Sequence, residues 1–282
     1  MRVFKLVFGA LLAFGASWLP AAAQATKERF TDLPAETDIG LGLNAVPFLA
    51  YLGNLANGTS NNTLAHDYRF TDHSVTAKYF YREDLALRGR IRIGVNHDTE
   101  NAFVPDAADP NTQVEDRFRS TRFNLVMGGG LERRRGYGRV QGIYGGELLL
   151  SLTSESERYF YGNAFTAAPG PPSADFGTEN ITLDPTDGAL TQRALRRSYG
   201  TAFGLGIRGF LGVEYFFAKD LSLGVEFGWG PQFVARGSAH ETSERLVKGD
   251  VLEQERDTGG GGISLSLDND TLDGGIFLTA YF

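Results

Sequence analysis

Between Tyr199 and Arg236 the chain alternates between two faces. Phe203, Leu205, Ile207, Leu211, Val213, Tyr215 and Phe217 fall on one face, and Gly204, Gly206, Arg208, Gly212 and Glu214 on the other. After Ala218-Lys219-Asp220 the alternation restarts, with Leu221, Leu223, Val225, Phe227, Trp229 and Phe233 set against Ser222, Gly224, Glu226, Gly228, Gly230, Gln232 and Arg236. Successive strand residues point to opposite sides, so the two-residue period predicts two antiparallel strands joined by a tight turn. A soluble sheet would bury its apolar side against a second layer. After the N-terminal apolar stretch, no amphipathic helical segment exists to supply that layer, and lipid is the expected cover.

The same reading along the whole chain gives eight strands of about ten residues, long enough to cross hydrocarbon at a tilt. The first runs from Asp38 to Tyr51 through Ile39, Leu41, Leu43, Ala45 and Leu49. Val75, Ala77, Tyr79 and Tyr81 turn at Glu83-Asp84 into Leu87, Ile91, Ile93 and Val95. Thr121, Phe123, Leu125, Met127 and Leu131 pass through a turn at Arg133 to Gly138 into Val140, Tyr144, Leu148, Leu150 and Leu152. The hairpin described first follows, and Ile276, Leu278, Ala280 and Phe282 end the chain. The expected fold is therefore all-β, a transmembrane antiparallel up-and-down β-barrel. Ten strands result if the 154–197 link adds a crossing hairpin. Parity flips between Leu267 and Ile276, so a bulge or turn is expected between Asp268 and Gly275.

The turns near Glu83, Arg135 and Lys219 are tight, whereas the links 53–72, 98–116, 154–197 and 237–262 are long and polar. Outer-membrane barrels pair short periplasmic turns with long external loops, which places both termini in the periplasm. Ala167 to Ser173, rich in Pro and Gly, reads as a mobile or extended surface segment, with a hairpin around Tyr159 to Phe165 as an option. At the start, Arg2 and Lys5 precede an apolar run from Leu6 to Leu19 and the small residues after Pro20. Residues 1–23 are therefore read as a signal peptide and 24–282 as the barrel domain. Cleavage there moves the net charge from −7 to −9, because two basic and no acidic residues are lost; nucleic acid is not an expected partner. The chain has no Cys, which removes disulfides and thiolate chemistry.

Gly274-Gly275-Ile276-Phe277-Leu278-Thr279-Ala280-Tyr281-Phe282 resembles the terminal-strand signal of bacterial outer-membrane barrels. With the leader and the eight strands, the chain looks like the OmpA/OmpX/OmpW-like small-barrel class, without a peptidoglycan-binding domain. The resemblance implies recognition by the barrel assembly machinery through Gly275, Leu278, Ala280 and Phe282. It also implies a bacterial outer-membrane location in contact with lipid and lipopolysaccharide. It carries no function, since this fold hosts adhesins, channels, stabilisers and lipid enzymes.

By parity, Lys78, Arg82, Arg88, Arg90, Arg92, Arg122, Arg208 and Arg236 face inward, with Glu132, Glu147, Glu214 and Glu226 as the anions. An eight-stranded interior is filled by side chains, so Arg90, Arg92, Arg122 and Arg208 are expected to pair with Glu147, Glu214 and Glu226. The excess of Arg supports a narrow channel for small solutes or anions as an alternative, with the interior glycines either admitting water or making room for long side chains. His66, His73, His97 and His240 lie at loops or strand ends, and His73, Ser74, His97 and Asp98 could mimic a hydrolytic set on outer-leaflet lipid. No established spacing supports that set or a zinc site. Asp268-Asn269-Asp270 with Asp273-Gly274 reads as a polar turn rather than a calcium loop. Tyr79, Tyr81, Tyr215, Phe217 and Phe282 suit an inner aromatic girdle, and Trp229 and Phe233 an outer one. The expectation is a non-enzymatic integrity or surface-interaction protein, with no cofactor or metal and no ligand that the sequence identifies.

Overall fold

A computed structural model describes residues 33–45, 75–166, 171–186, 188–269 and 275–282. The expected signal peptide, the end of the first predicted strand, the 53–72 link, His66, His73, Ser74, residues 167–170 and the Asp270, Asp273 and Gly274 positions lie outside them. The described chain is all-β. Its strands are β1 (Ile39–Asn44), β2 (Val75–Arg82), β3 (Leu85–Pro105), β4 (Gln113–Tyr137), β5 (Val140–Phe160), β6 (Ile181–Leu183) and β7 (Leu190–Ser198). They continue as β8 (Ala202–Ala218), β9 (Leu221–Arg236), β10 (Ala239–Val247), β11 (Asp250–Gly259), β12 (Gly262–Asn269) and β13 (Gly275–Tyr281).

Eight of these strands close a ring of antiparallel hydrogen bonds in the order β1, β2, β3, β4, β5, β8, β9, β13 and back to β1. They correspond to the eight strands read from the alternation. The ring is sealed where Ile39 and Phe282 exchange backbone bonds of 2.8 and 3.0 Å. Tight turns link β2 to β3, β4 to β5 and β8 to β9, and Gly138 and Asp220 take left-handed backbone angles in two of them.

Four sequence readings change. The 98–116 link is mostly strand, because β3 and β4 run 21 and 25 residues and stay paired from Leu85–Arg133 to Pro105–Gln113. At roughly 3.3 Å per residue, β4 spans about 80 Å. Alternation stops near Val95 while pairing continues, since a ladder needs backbone partners and not an apolar face. The 154–197 and 237–262 links likewise contribute β6, β7 and the β10–β11 hairpin, laid beside the upper part of β5 rather than into the ring. No hairpin forms at Tyr159 to Phe165; β5 ends at Phe160. Finally, β4 continues to Tyr137, so the turn is Gly138-Arg139 and not the whole Arg133 to Gly138 stretch.

The expected parity break is where the ring changes strand. Asn269 lies opposite Trp229, and Gly275 lies opposite Glu226. Five residues separate 269 from 275 in the sequence, whereas only two, 227 and 228, separate their partners on β9. The surplus is odd, so the faces of β12 and β13 are exchanged.

Burial is inverted relative to a soluble sheet. Leu41, Ile91, Met127, Leu148, Ile207, Leu211, Val225 and Leu278 are exposed, whereas Thr76, Lys78, Arg88, Glu132, Glu147, Arg208, Glu214, Ser222, Glu226 and Thr279 are buried inside the ring. Beside the tight turns, Phe80, Ala86, Phe216 and Tyr281 form a small apolar cluster with Leu33 against it.

Candidate functional site

The buried charges inside the ring form one connected network. Arg208 donates to Glu147 at 2.6 Å and to Glu226 at 2.8 Å. Arg88 donates through both terminal nitrogens to Glu226 and reaches Glu132 at 3.4 Å. Arg90 lies 3.1 Å from Glu147 and 3.3 Å from Glu226. Nearer the tight turns, Lys78 bridges Glu132 at 2.9 Å and Glu214 at 3.4 Å. Arg134 donates to Glu214 at 2.7 Å and lies over the rings of Phe80, Phe216 and Tyr281 at 4.5, 5.3 and 5.5 Å. Glu214 also accepts from Ser222 at 2.5 Å and from the Tyr281 hydroxyl.

Cross-strand register sets these contacts. Glu147 and Arg208 are directly opposite on β5 and β8, and Gly130, with no side chain, faces Glu147 from β4. Gly228 plays the matching part on β9: a Cβ there would collide with the Arg208 guanidinium. This supports the space-making reading of the interior glycines at that position. Thr76, Lys78, Arg88, Glu214, Glu226 and Thr279 leave between them about 10 Å³ for the centre of a water-sized sphere. That is at the threshold for a single water. The interior at this level is packed with side chains.

Of the interior residues read from the sequence, the structure joins Arg90, Arg208, Glu147 and Glu226 in one cluster and puts Glu214 in an adjoining one. Two depart from the expected pairing. Arg122 pairs with Glu155 at 2.8 Å at an exposed site. It stands eight residues along β4 from the Glu147 level, roughly 26 Å away, too far to reach it. Arg92 approaches Asn124 at 3.5 Å. The partners that sequence reading overlooked are Arg134, Ser222 and Tyr281. Arg134 shares the parity of Glu132, the signal that would have found it; its neighbours Arg133 and Arg135 made the stretch read as a polar turn. At the chain end, Leu278 and Phe282 point outward and are exposed, and Gly275 is buried opposite Glu226; Ala280 is half-buried.

A second polar assembly orders the far end of the sheet. Asp116, fully buried, accepts from the backbone N–H groups of Gly162 and Ala174, both at 2.8 Å. Asn163 donates to the Pro105 and Pro172 carbonyls at 2.9 and 3.0 Å, and Asn180 to the Ala174 carbonyl at 2.9 Å. Arg193 bonds Glu244 at 2.8 Å and stacks over Tyr161 at 4.4 Å, while Arg197 holds Glu241 at 2.7 Å. Thus the Pro-rich stretch, where described, is irregular but tied at Pro172 and Ser173. Burial pushes the Tyr161 phenol up to about 12 and also raises that of Tyr159.

The two described rim histidines sit on separate strands. His97 contacts Thr121 at 2.9 Å, and His240 contacts Asp257 at 2.7 Å on an exposed hairpin. Among the described residues no group of three or more His, Asp or Glu side chains is placed to hold a metal, and no helix is long and apolar enough to cross a membrane. The chain matches no family model, no curated protein and no solved structure.

Proposed function

We propose that the eight-stranded ring is an outer-membrane β-barrel of the small class that the terminal strand resembles, with a non-enzymatic role in envelope integrity or surface interaction. The observation that carries this reading is the inversion of burial. A charged, solvent-excluded interior and an exposed apolar exterior suit a sheet whose outer solvent is hydrocarbon. The interior network then acts as a plug, since its carboxylates and cations are ion-paired with one another and the gap among Thr76, Lys78, Arg88 and Glu226 has room for about one water. The tied assembly around Asp116, Asn163 and Asn180 supports a surface role, because it offers a pre-ordered outer surface to a partner. In this reading the assembly machinery and the surrounding lipopolysaccharide are the partners.

A narrow anion path is the second reading, favoured by one observation. The network holds five cations, Lys78, Arg88, Arg90, Arg134 and Arg208, against four carboxylates, Glu132, Glu147, Glu214 and Glu226. Planar-bilayer recording separates the two. The plug gives no steady openings in the native protein and gives them once Arg208 and Glu226 are both changed to Ala. Steady anion-selective openings in the native protein decide for the channel. Membrane fractionation tests the setting: recovery of the purified chain as a soluble monomer without detergent would reject it.

A further inference from the structure

Above the apolar band, three arginines stand side by side on one face of the sheet. Arg119 of β4 is directly opposite Arg158 of β5, and Arg158 is directly opposite Arg196 of β7. Directly opposed residues of antiparallel strands project to the same side, and like charges placed so repel. Among the described residues none of the three forms an ion pair. Arg119 leans over the Phe160 ring at 5.6 Å, and its buried Nε has no hydrogen-bond partner. Two positions farther along β4, Arg117 is by contrast answered by Glu115 at 2.9 Å. A chain with net negative charge has thus left one row of cations uncompensated.

The position of the row points to its counter-ion. On β4 the same face carries Phe123, then Thr121, then Arg119, about 13 Å along the strand from the last apolar side chain. On β5 it carries Leu152, Ser154, Ser156 and Arg158. A hydroxyl-bearing band therefore separates the arginines from the apolar face. That is the height at which a lipid leaflet gives way to its headgroups, and guanidinium is suited to phosphate oxygens.

We propose that Arg119, Arg158 and Arg196 form a binding site for the phosphate groups of a glycolipid in the surrounding outer leaflet. The proposal rests on the membrane reading above and adds a particular site to it.

The test uses the full chain reconstituted in nanodiscs, with bis-phosphorylated lipid A as the probe and its dephosphorylated form as the control. Retention is read by native mass spectrometry and affinity by titration. Arg158→Gln with Arg196→Gln, both exposed and remote from the interior network, should weaken binding roughly fivefold for each arginine removed. Dephosphorylated probe should bring the native protein to or below the level of that variant, which keeps Arg119, and Arg117→Gln should change nothing. Equal binding of the two probes by native protein, or an unaltered affinity in the double variant, would overturn the site while leaving the membrane reading in place. Failure of the native chain to insert into lipid at all would overturn both.

Discussion

Glu226 is the carboxylate on which three arginines converge, so changing it to Gln asks how far the interior is shielded from water. Its side chain is 2% exposed, and those of Arg88, Arg208 and Arg90 are 1%, 7% and 15% exposed. Removing one partner of a buried pair costs about 3–5 kcal/mol, mainly by stranding the charge left behind. Gln retains an accepting oxygen, which favours the lower end, about 3 kcal/mol or two decades in the folding constant. Equilibrium urea unfolding in lipid vesicles, followed by Trp229 on the same strand, reads this directly. Adding Arg90→Met restores the native excess of one cation and should recover about half of the loss. A loss under about 1 kcal/mol, the level of exposed pairs, would mean that water already solvates these charges. A double variant no more stable than Glu226→Gln would refute the charge balance as the organising constraint.

Gly228→Val should drive Arg208 away from Glu147 and Glu226 and destabilise by about 1–3 kcal/mol. Gly224→Ala, whose Cβ meets nothing closer than 3.7 Å, should stay within about 0.5 kcal/mol in the same unfolding assay. Asp116→Ala leaves the Gly162 and Ala174 amides without their buried acceptor, a local cost of about 1–3 kcal/mol. Limited proteolysis should then cut between residues 160 and 198 while the ring stays protected; an unchanged cleavage pattern would show that Asp116 is not the anchor. The phenol of Tyr161 is raised by burial from about 10 to about 12, so the folded state holds its proton more tightly than the unfolded state. Its contribution is full below pH 10 and is lost as the pH rises through 12. Absorbance at 295 nm should show a late phenolate step near pH 12 whose amplitude falls by one phenol in Tyr161→Phe, the remainder belonging to the other phenols raised by burial, Tyr199 among them.

Legibility followed the physical signal. Where side chains alternate, as in Phe203 to Phe217 and Leu221 to Phe233, strands, faces and turns could be read because the period of two is itself the consequence of the pleat. The odd surplus before the last strand could be read for the same reason. The signal fails where both faces are polar. Asp98 to Asp116 looked like a loop although residues 98–105 and 113–116 are paired strand, and Tyr159 to Ser198 hid a fold held by Asp116, Asn163 and Asn180. Asp116 and Asn163 bond to backbone groups up to 58 residues away in sequence, and local pattern cannot foresee such partners. For the interior, parity named Arg90, Arg208, Glu147, Glu214 and Glu226. It could not say at which height each would sit, and so Arg122 was grouped with carboxylates roughly 26 Å away.

Register adds an argument that composition cannot. Val95, Phe123 and Ser154 stand in one register row across β3, β4 and β5, and His97, Thr121 and Ser156 in the next on that face. Below this boundary the outward face is Ile93, Leu125 and Leu152; above it comes Thr99, Arg119 and Arg158. Three strands that are separate in sequence therefore change from apolar to polar within two rows of one another. A protein layer packed against the sheet would impose an irregular outline, set by its own side chains. A planar boundary between hydrocarbon and headgroups imposes a level one, stepped slightly by the tilt of the strands. The shared level of that transition, on strands whose pairing runs on without a break above it, supports the proposed membrane setting.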